Sequence, residues 1–479
     1  MDWLDEAQQA YDRKKGTTGF GYDAISDSKR RRSPKKTVSS EDRHLKQSER
    51  KGLIATSRDI RRNFSIARFL IHRHIDYVVE HNMIARTGNR DTDDKLTEFF
   101  RMASRKENFD VTGRYGLRRY LRMMEAARIV DGDILTVKFR RGHVQAIEGD
   151  RIRNPENQAI GSIVDDIGWV NGVKIDQHGG HQAYSIHRRK QSGFDWERTV
   201  PKRKAMLHGF FDRFDQTRGI SPLTPVINSM KDLYESWDYA LARSKVEQLF
   251  ALAITRTDDW GAGLDDEDDD ENNVRELSFD KGPQILDLDA DEDAKFLSSS
   301  SPANSTQDFW HSMIMMTLKA LMIPYFFYDE KNTNFFGARS SLLMYIRSVR
   351  GWREDIVEFL NEWFCWRLKV GIQNGEIDLP ESFDCDDYTN WAFQPIGLEY
   401  WNPKDEIKAD ETAIALKIRT RDEIRMERFG DSWTKDVFPK LLEEEKLVKQ
   451  LTPPPNVNGG LNQPNREDDD EDSDEREDD

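Results

Sequence analysis

Apolar residues along the chain recur first at helical spacing, then at strand spacing, then at helical spacing again. From Ser57 onward, Ile60, Phe64, Ala67, Leu70, His74 and Tyr77-Val78 mark one face of a helix. Two further helices are predicted over residues 92–102 and 117–129. Asp131-Gly132-Asp133 is a turn signal, and beyond it the period shortens to two. Residues 134–139, 143–147, 168–170, 173–175 and 183–186 each read as a hairpin strand bounded by Gly, Asn, Asp or Pro. This mixed segment ends near Phe214.

The pattern then turns helical for good. Ser221-Pro222 is a helix start, continued by Leu223, Val226, Met230, Leu233, Trp237, Leu241 and Phe250, a run that would span roughly 50 Å at 1.5 Å per residue. Gln284 to Leu288 reads as a strand. Residues 306–323 are apolar nearly all round, which predicts burial on several sides, and Pro324 stops them. A loop, 325–337, leads to a second long helix with Leu342, Ile346, Val349, Trp352, Ile356, Phe359 and Trp363 on one stripe. Helices are also predicted over 404–429 and 435–451. No internal repeat is present.

Composition sharpens this picture. Only 37% of the 479 residues are hydrophobic while 33% are charged, too few apolar positions for a compact monomer of this size. Extended shape, disordered ends or faces covered by partner subunits would each account for the deficit. The net charge of -16 is unevenly placed: basic at the start (Lys29 to Arg32, Lys35-Lys36), acidic at 265–271 and at 466–479. Residues 1–56 and the tail from Pro453 are therefore read as largely disordered. Cys365 and Cys385 lack metal-type spacing and argue against a disulfide framework. The N-terminus has no basic-then-apolar signal pattern, and the most apolar stretch, 309–327, carries His311, Lys319 and Pro324, which a membrane span tolerates poorly.

Candidate chemistry is sparse. His72 and His74 would point to different faces of a helix, and His178-Gly-Gly-His181 has no carboxylate cluster beside it. Asp287-Leu-Asp289-Ala-Asp291 begins like a calcium loop, but Glu292 and Ser298 stand where Gly and Glu are needed. No phosphate-binding Gly-rich loop, nucleophile elbow or zinc-protease motif occurs. The expectation is a protein that is not an enzyme, with no catalytic residue, cofactor or resident metal.

Several of these segments, taken in order, resemble lambda-family phage portal proteins. They are Arg61 to Ile71, the Asp131–Asp133 turn, Val144 to Arg151, Gly172 to Asp176 and Ala183-Tyr184. The stretch 208–222, with Arg213, Gln216, Arg218, Gly219 and Pro222, looks like that family's signature. Ile323-Pro324 followed by Asn334 to Arg339 is similar to its later Asn-Tyr-Ser-Ser-Ala-Arg element, with Phe335-Phe-Gly337 in place of Tyr-Ser-Ser. The resemblance covers roughly 57–430; the basic arm and acidic tail have no counterpart.

The resemblance implies an α+β portal fold assembled as a cyclic, dodecameric ring at the portal vertex of the capsid, built in the host cytoplasm and retained in the virion. Element order assigns a mixed α/β wing to 57–220, stem helices to 221–255 and 306–323, and a small clip with an acidic insertion to 256–305. It assigns a tunnel loop to 325–337, a long wing helix to 338–372 and a helical crown to 373–452. Implied partners are non-specific double-stranded DNA, the terminase large subunit, the major capsid protein, scaffold and head-completion or connector proteins, and no membrane. Lys331, Asn332 and Asn334 are the candidate DNA-facing residues; Arg213, Gln216, Arg218, Gly219, Pro222 and Arg339 are structural. A strongly basic channel would hold DNA fast, so few cations suit a conduit. Two rivals make different predictions. A capsid adaptor or scaffold would form no open ring, and a metal-dependent nuclease would need the acidic run 265–271.

Overall fold

In a computed structural model the chain is described over residues 40–155, 168–249, 252–256, 292–296, 304–329, 331, 334–395 and 400–451. The acidic run 265–271, the strand-like 284–288, the calcium-like 287–291, Asn332, residues 1–39 and the tail from 453 lie outside these.

Helix α1 (Gln47–Asn63) buries Arg50, Ile54, Ser57 and Ile60, a stripe at helical spacing. Phe64 is extended and separates it from α2 (Ser65–Val78), which buries Ala67, Leu70, Ile71, His74 and Ile75. After strand β1 (His81–Ala85), α3 (Arg90–Ala103) starts at Asn89. The Asn89 side chain accepts from Asp91 N and Thr92 N, the usual way of satisfying first-turn N–H groups. Helix α4 (Leu117–Asp131) is buried on several faces and ends at Gly132, whose φ of 91° suits only glycine.

Five strands were expected in the middle segment; the structure has seven. A three-stranded antiparallel sheet runs β3-β2-β8, with β2 (Asp133–Lys138) central between β3 (Val144–Glu148) and β8 (Ala205–Gly209). A four-stranded antiparallel sheet runs β4 (Gly168–Val170), β5 (Val173–Ile175), β6 (His181–Lys190) and β7 (Gly193–Pro201). Leu135, Ile147, Val173, Tyr184, Ile186 and Val200 pack into one core between them. Strands β7 and β8 escaped sequence reading for different reasons: charged residues break the apolar alternation of β7, which is mostly exposed, and β8 is only five residues long.

The helical part departs from expectation in boundaries. The run expected over 221–255 is a 3-10 turn, Thr224–Val226, then α5 (Ile227–Leu249), about 34 Å long by its rise per residue. Residues beyond it form β9 (Leu252–Arg256), paired antiparallel with β10 (Glu292–Phe296). Helix α6 (Asn304–Leu318) closes with a 3-10 turn, Lys319–Leu321, and left-handed Met322, earlier than the expected 323. The loop expected to reach 337 ends at Asn334, where α7 (Phe335–Ser348) begins. The single helix expected over 338–372 is broken at buried Val349, whose ψ near 0° leaves the helical region; α8 (Arg350–Asn374) follows.

Contact clustering divides the chain into two units: residues 1–80 with 85–392, and 81–84 with 393–479. The smaller contains β11 (Trp391–Pro395) paired with β1, then α9 (Pro403–Ala415), α10 (Arg421–Phe429) and α11 (Phe438–Leu451). The helix expected over 404–429 is thus two, because Lys417 takes a positive φ and Thr420 caps the second. The helix expected from 435 is a π turn, Trp433–Val437, before α11.

The disorder expected to residue 56 is corrected from residue 40 on. Residues 41–44 form a short helix and α1 begins at Gln47, held by buried Arg50 together with buried Ile54. Replacing Ile54 by Ala should lower unfolding free energy by about 2–4 kcal/mol in urea titration, a cost that a disordered arm would not incur.

Candidate functional site

The signature loop between β8 and α5 is organised by one carboxylate. Asp133 opens β2 immediately after Gly132 and is fully buried. Arg218 donates to it twice, Nε to Oδ2 at 2.6 Å and Nη2 to Oδ1 at 2.7 Å. Its other N–H groups go to three carbonyls: Nη1 to Ile152 O (3.2 Å) and Asn171 O (2.6 Å), Nη2 to Gly149 O (3.0 Å). All five guanidinium donors are therefore used. Arg50 adds Nη2 to Asp133 Oδ1 at 2.9 Å and Nη1 to Gly219 O at 2.6 Å, and Gly219 N donates to Asp133 Oδ2 at 2.9 Å. Burial pushes the Asp133 carboxyl up, but the charges of Arg218 and Arg50 outweigh it and hold it below the usual range. Burial and the neighbouring Arg218 lower Arg50 to about 10.

The rest of the signature closes the same joint. Gly132 and Gly219 pack backbone to backbone; a Cβ on either would meet the other's carbonyl oxygen well inside contact. Gln216 Nε2 donates to Phe210 O (3.0 Å) and Arg218 O (2.8 Å), while its Oε1 accepts from Asp212 N (3.0 Å). Arg213 is exposed and pairs with Glu41 (3.2 Å) and Asp215 (3.1 Å). Pro222 is half-buried beside Ser221, whose Oγ donates to Ile129 O at 2.6 Å.

A second buried group was not visible in the sequence. Glu125, on α4, is hydrogen-bonded to His74 Nε2 at 2.8 Å and accepts from Arg128 Nε at 2.9 Å; Arg128 Nη1 reaches Asp355 at 2.7 Å. His208 Nε2 lies 3.6 Å from Glu125. Burial pushes Glu125 up, but Arg128 and both histidines outweigh it and keep it well below the ordinary carboxylate value. Burial lowers His74 and His208 below theirs, with Arg128 pressing the same way. The signal was an acid and a base three apart on the most buried helix.

The helix–loop–helix from α6 to α7 is the third element. Ile314, Thr317 and Leu318 are buried, and Trp310 Nε1 donates to Ser236 Oγ of α5 at 2.8 Å. Phe309, Met315, Met316 and, beyond the helix, Met322 are exposed, so the burial on several sides expected for this segment is absent within one chain. Aromatics anchor the loop: Phe327 stacks on Tyr77 at 5.4 Å and meets Tyr345 edge-on at 5.5 Å, and the Tyr325 hydroxyl is 2.6 Å from His311 Nδ1. Beyond them Lys331 is exposed, its backbone N–H donating to Asp329 Oδ1 at 3.0 Å. Asn334 is exposed and caps α7, its Oδ1 accepting from Gly337 N at 2.7 Å. Arg339 is half-buried on α7. Phe335, Phe336, Leu343 and Met344 of α7 are exposed.

One metal-type cluster occurs among the described residues, Asp131, Glu148 and Asp150. Arg58 donates to all three and Arg189 to the latter two, so arginines already neutralise it. No helix among the described residues is long and apolar enough to cross a membrane. Cys365 and Cys385 are both free and buried.

The described residues form a mixed α+β fold held by buried ion pairs, with apolar helix faces left open. A model of phage portal proteins of the lambda family matches residues 27–353, and the chain belongs to that family. Similar solved structures include the virion of a native gene transfer agent particle, at 12% identity over 78% of this chain and 92% of that one, with a TM-score of 0.43. They also include the neck of that native particle computed with C12 symmetry, at 12% identity, the same coverage and a TM-score of 0.44. No curated protein matches.

Gly219→Ala should destabilise the chain by about 1–3 kcal/mol in urea titration, because its methyl displaces the Gly132 carbonyl. Since His74 and His208 are lowered in the fold, their contribution is complete above the ordinary value near 6.5 and is lost as pH falls. The melting temperature should therefore drop between about pH 7 and 5, and His74→Gln, which keeps a donor for Glu125, should flatten that slope.

Proposed function

We propose that this chain is one subunit of a closed, dodecameric ring at a capsid vertex, through which double-stranded DNA enters and leaves, and that it is not an enzyme. The observation that carries the reading is the uncovered apolar surface of α6 and α7: Phe309, Met315, Met316, Phe336, Leu343 and Met344 face solvent in the single chain. Soluble monomers seldom leave so much apolar surface on adjoining elements, and ring neighbours would cover it. Family membership over residues 27–353 supports the same assembly.

In this reading the loop between α6 and α7 faces the channel. Lys331 and Asn334 present polar groups to phosphate, Asn332 being a third candidate, and the sparse positive charge lets DNA slide rather than stick. The stretch 256–305 is the surface on which the terminase large subunit and head-completion or connector proteins dock, the major capsid protein and scaffold are further partners, and the assembled ring stays in the virion.

Negative-stain electron microscopy with mass photometry tests this on the purified chain. Rings of about twelve subunits with an open centre are expected. Small particles at every concentration and salt would instead favour a capsid adaptor that forms no conduit.

A further inference from the structure

The tip of the signature loop carries a feature that its buried residues do not explain. Phe214 is fully exposed, yet both its flanks are fixed: Arg213 by Glu41 and Asp215, Gln216 by three hydrogen bonds. A free phenyl ring on a mobile loop could fold back onto its own chain. This one is held away from it, with exposed Phe211 and Asp212 beside it.

A matching recess lies where α1, α2, α5 and α6 meet. It is a cleft of about 100 Å³ lined by Phe64, Met230, Leu233, Tyr234, Trp237 and Thr317. An apolar cavity that encloses a whole benzene ring is on the order of 150 Å³, so this open cleft takes the edge of a phenyl ring and not all of it. Phe64 and Tyr234 lie 4.6 Å apart and give it an aromatic wall. The lip, Asn63 to Ala67, is flanked by exposed Arg62 and Arg68, and neither has an ion pair among the described residues. On α5 the acids Asp232 and Glu235 turn to other faces at 100° per residue, while Lys231 and Asp238 offset each other on its flank. Asp59, which accepts from Asn63 Nδ2 at 2.6 Å, offsets one of these arginines, so the lip keeps one net positive charge, and the Phe214 loop carries Asp212 and Asp215 against Arg213.

The two features sit at opposite ends of α1. Arg50, near its start, bonds to Gly219 of the signature loop, and Asn63, its last residue, lines the cleft. Thirteen helical steps put about 20 Å between Arg50 and Asn63, and Phe214 is fully exposed, so it does not fill its own cleft. We infer that Phe214 of one copy inserts into the cleft between α1, α2, α5 and α6 of a second copy, with Asp212 facing Arg62 and Arg68 of that copy. Such a knob-and-recess contact joins different surfaces of identical chains, which is the heterologous kind that closes into rings. The inference rests on the ring reading and assigns one of its contacts.

Two variants of the full chain test it. Phe214→Cys combined with Asn63→Cys should form an intermolecular disulfide on mild oxidation, giving a ladder of covalent multimers on a non-reducing gel. Each single variant should give none, since Cys365 and Cys385 are buried. Phe214→Ser, which removes no internal packing, should raise the concentration for half-assembly in mass photometry roughly tenfold or more, as a buried aromatic anchor would. Cross-linking decides the seat of the ring and the Ser variant decides its weight. Wild-type rings with no ladder would overturn the cleft as the seat while leaving the ring intact. Wild-type chains that never assemble would sink both readings together.

Discussion

The joint between α1, β2 and the signature loop depends on the carboxylate of Asp133. Four donors meet it: two from Arg218, one from Arg50 and one from the Gly219 backbone. These come from one helix and one loop. A buried carboxylate without partners would cost several kcal/mol, and removing one arginine would leave acceptors and carbonyls at the joint without donors. The ion pairs are thus a constraint on geometry more than a source of stability: only one arrangement of α1, β2 and the signature loop satisfies all of them. The close Gly132–Gly219 contact is what lets the three approach near enough.

That dependence explains what could be read from the sequence. Periodicity located the helices near 92–102 and 117–129 and five of the strands, since there the apolar positions alone decide which face is inside. It missed the first part of α1, before Ser57, which is drawn in by Arg50, and β7, a charged and mostly exposed strand. Helix ends were the weakest: a single residue with non-helical angles, such as Val349 or Lys417, breaks a helix without changing its apolar stripe. The signature residues were found through family resemblance, but their joint role was not, because Asp133 lies 85 positions from Arg218. The pair Glu125 and His74, 51 positions apart, was silent for the same reason.

The molecule's outer surface follows a different rule from its interior. Inside, charge is matched group by group, as Glu125 with Arg128 and Asp133 with Arg218. Outside, α6 and α7 keep apolar side chains in water while the loop that joins them is clamped by Tyr77, Phe327 and Tyr345. Aromatic contacts at the start of that loop and the cap at its end hold its described residues in place before any partner arrives, which lessens the order that association has to create.

The clamped loop also has a chemical polarity. Asp329 turns an oxygen onto the backbone N–H of Lys331, and Asn334 turns its oxygen onto Gly337. Each of these oxygens accepts one bond from its own chain, which holds both side chains in place. Lys331 offers an ammonium and Asn334 an amino group, while the second carboxylate oxygen of Asp329 remains able to accept. The described residues of the loop thus combine one cation, one anion and one amide, a polar surface that can both donate and accept and carries no net charge.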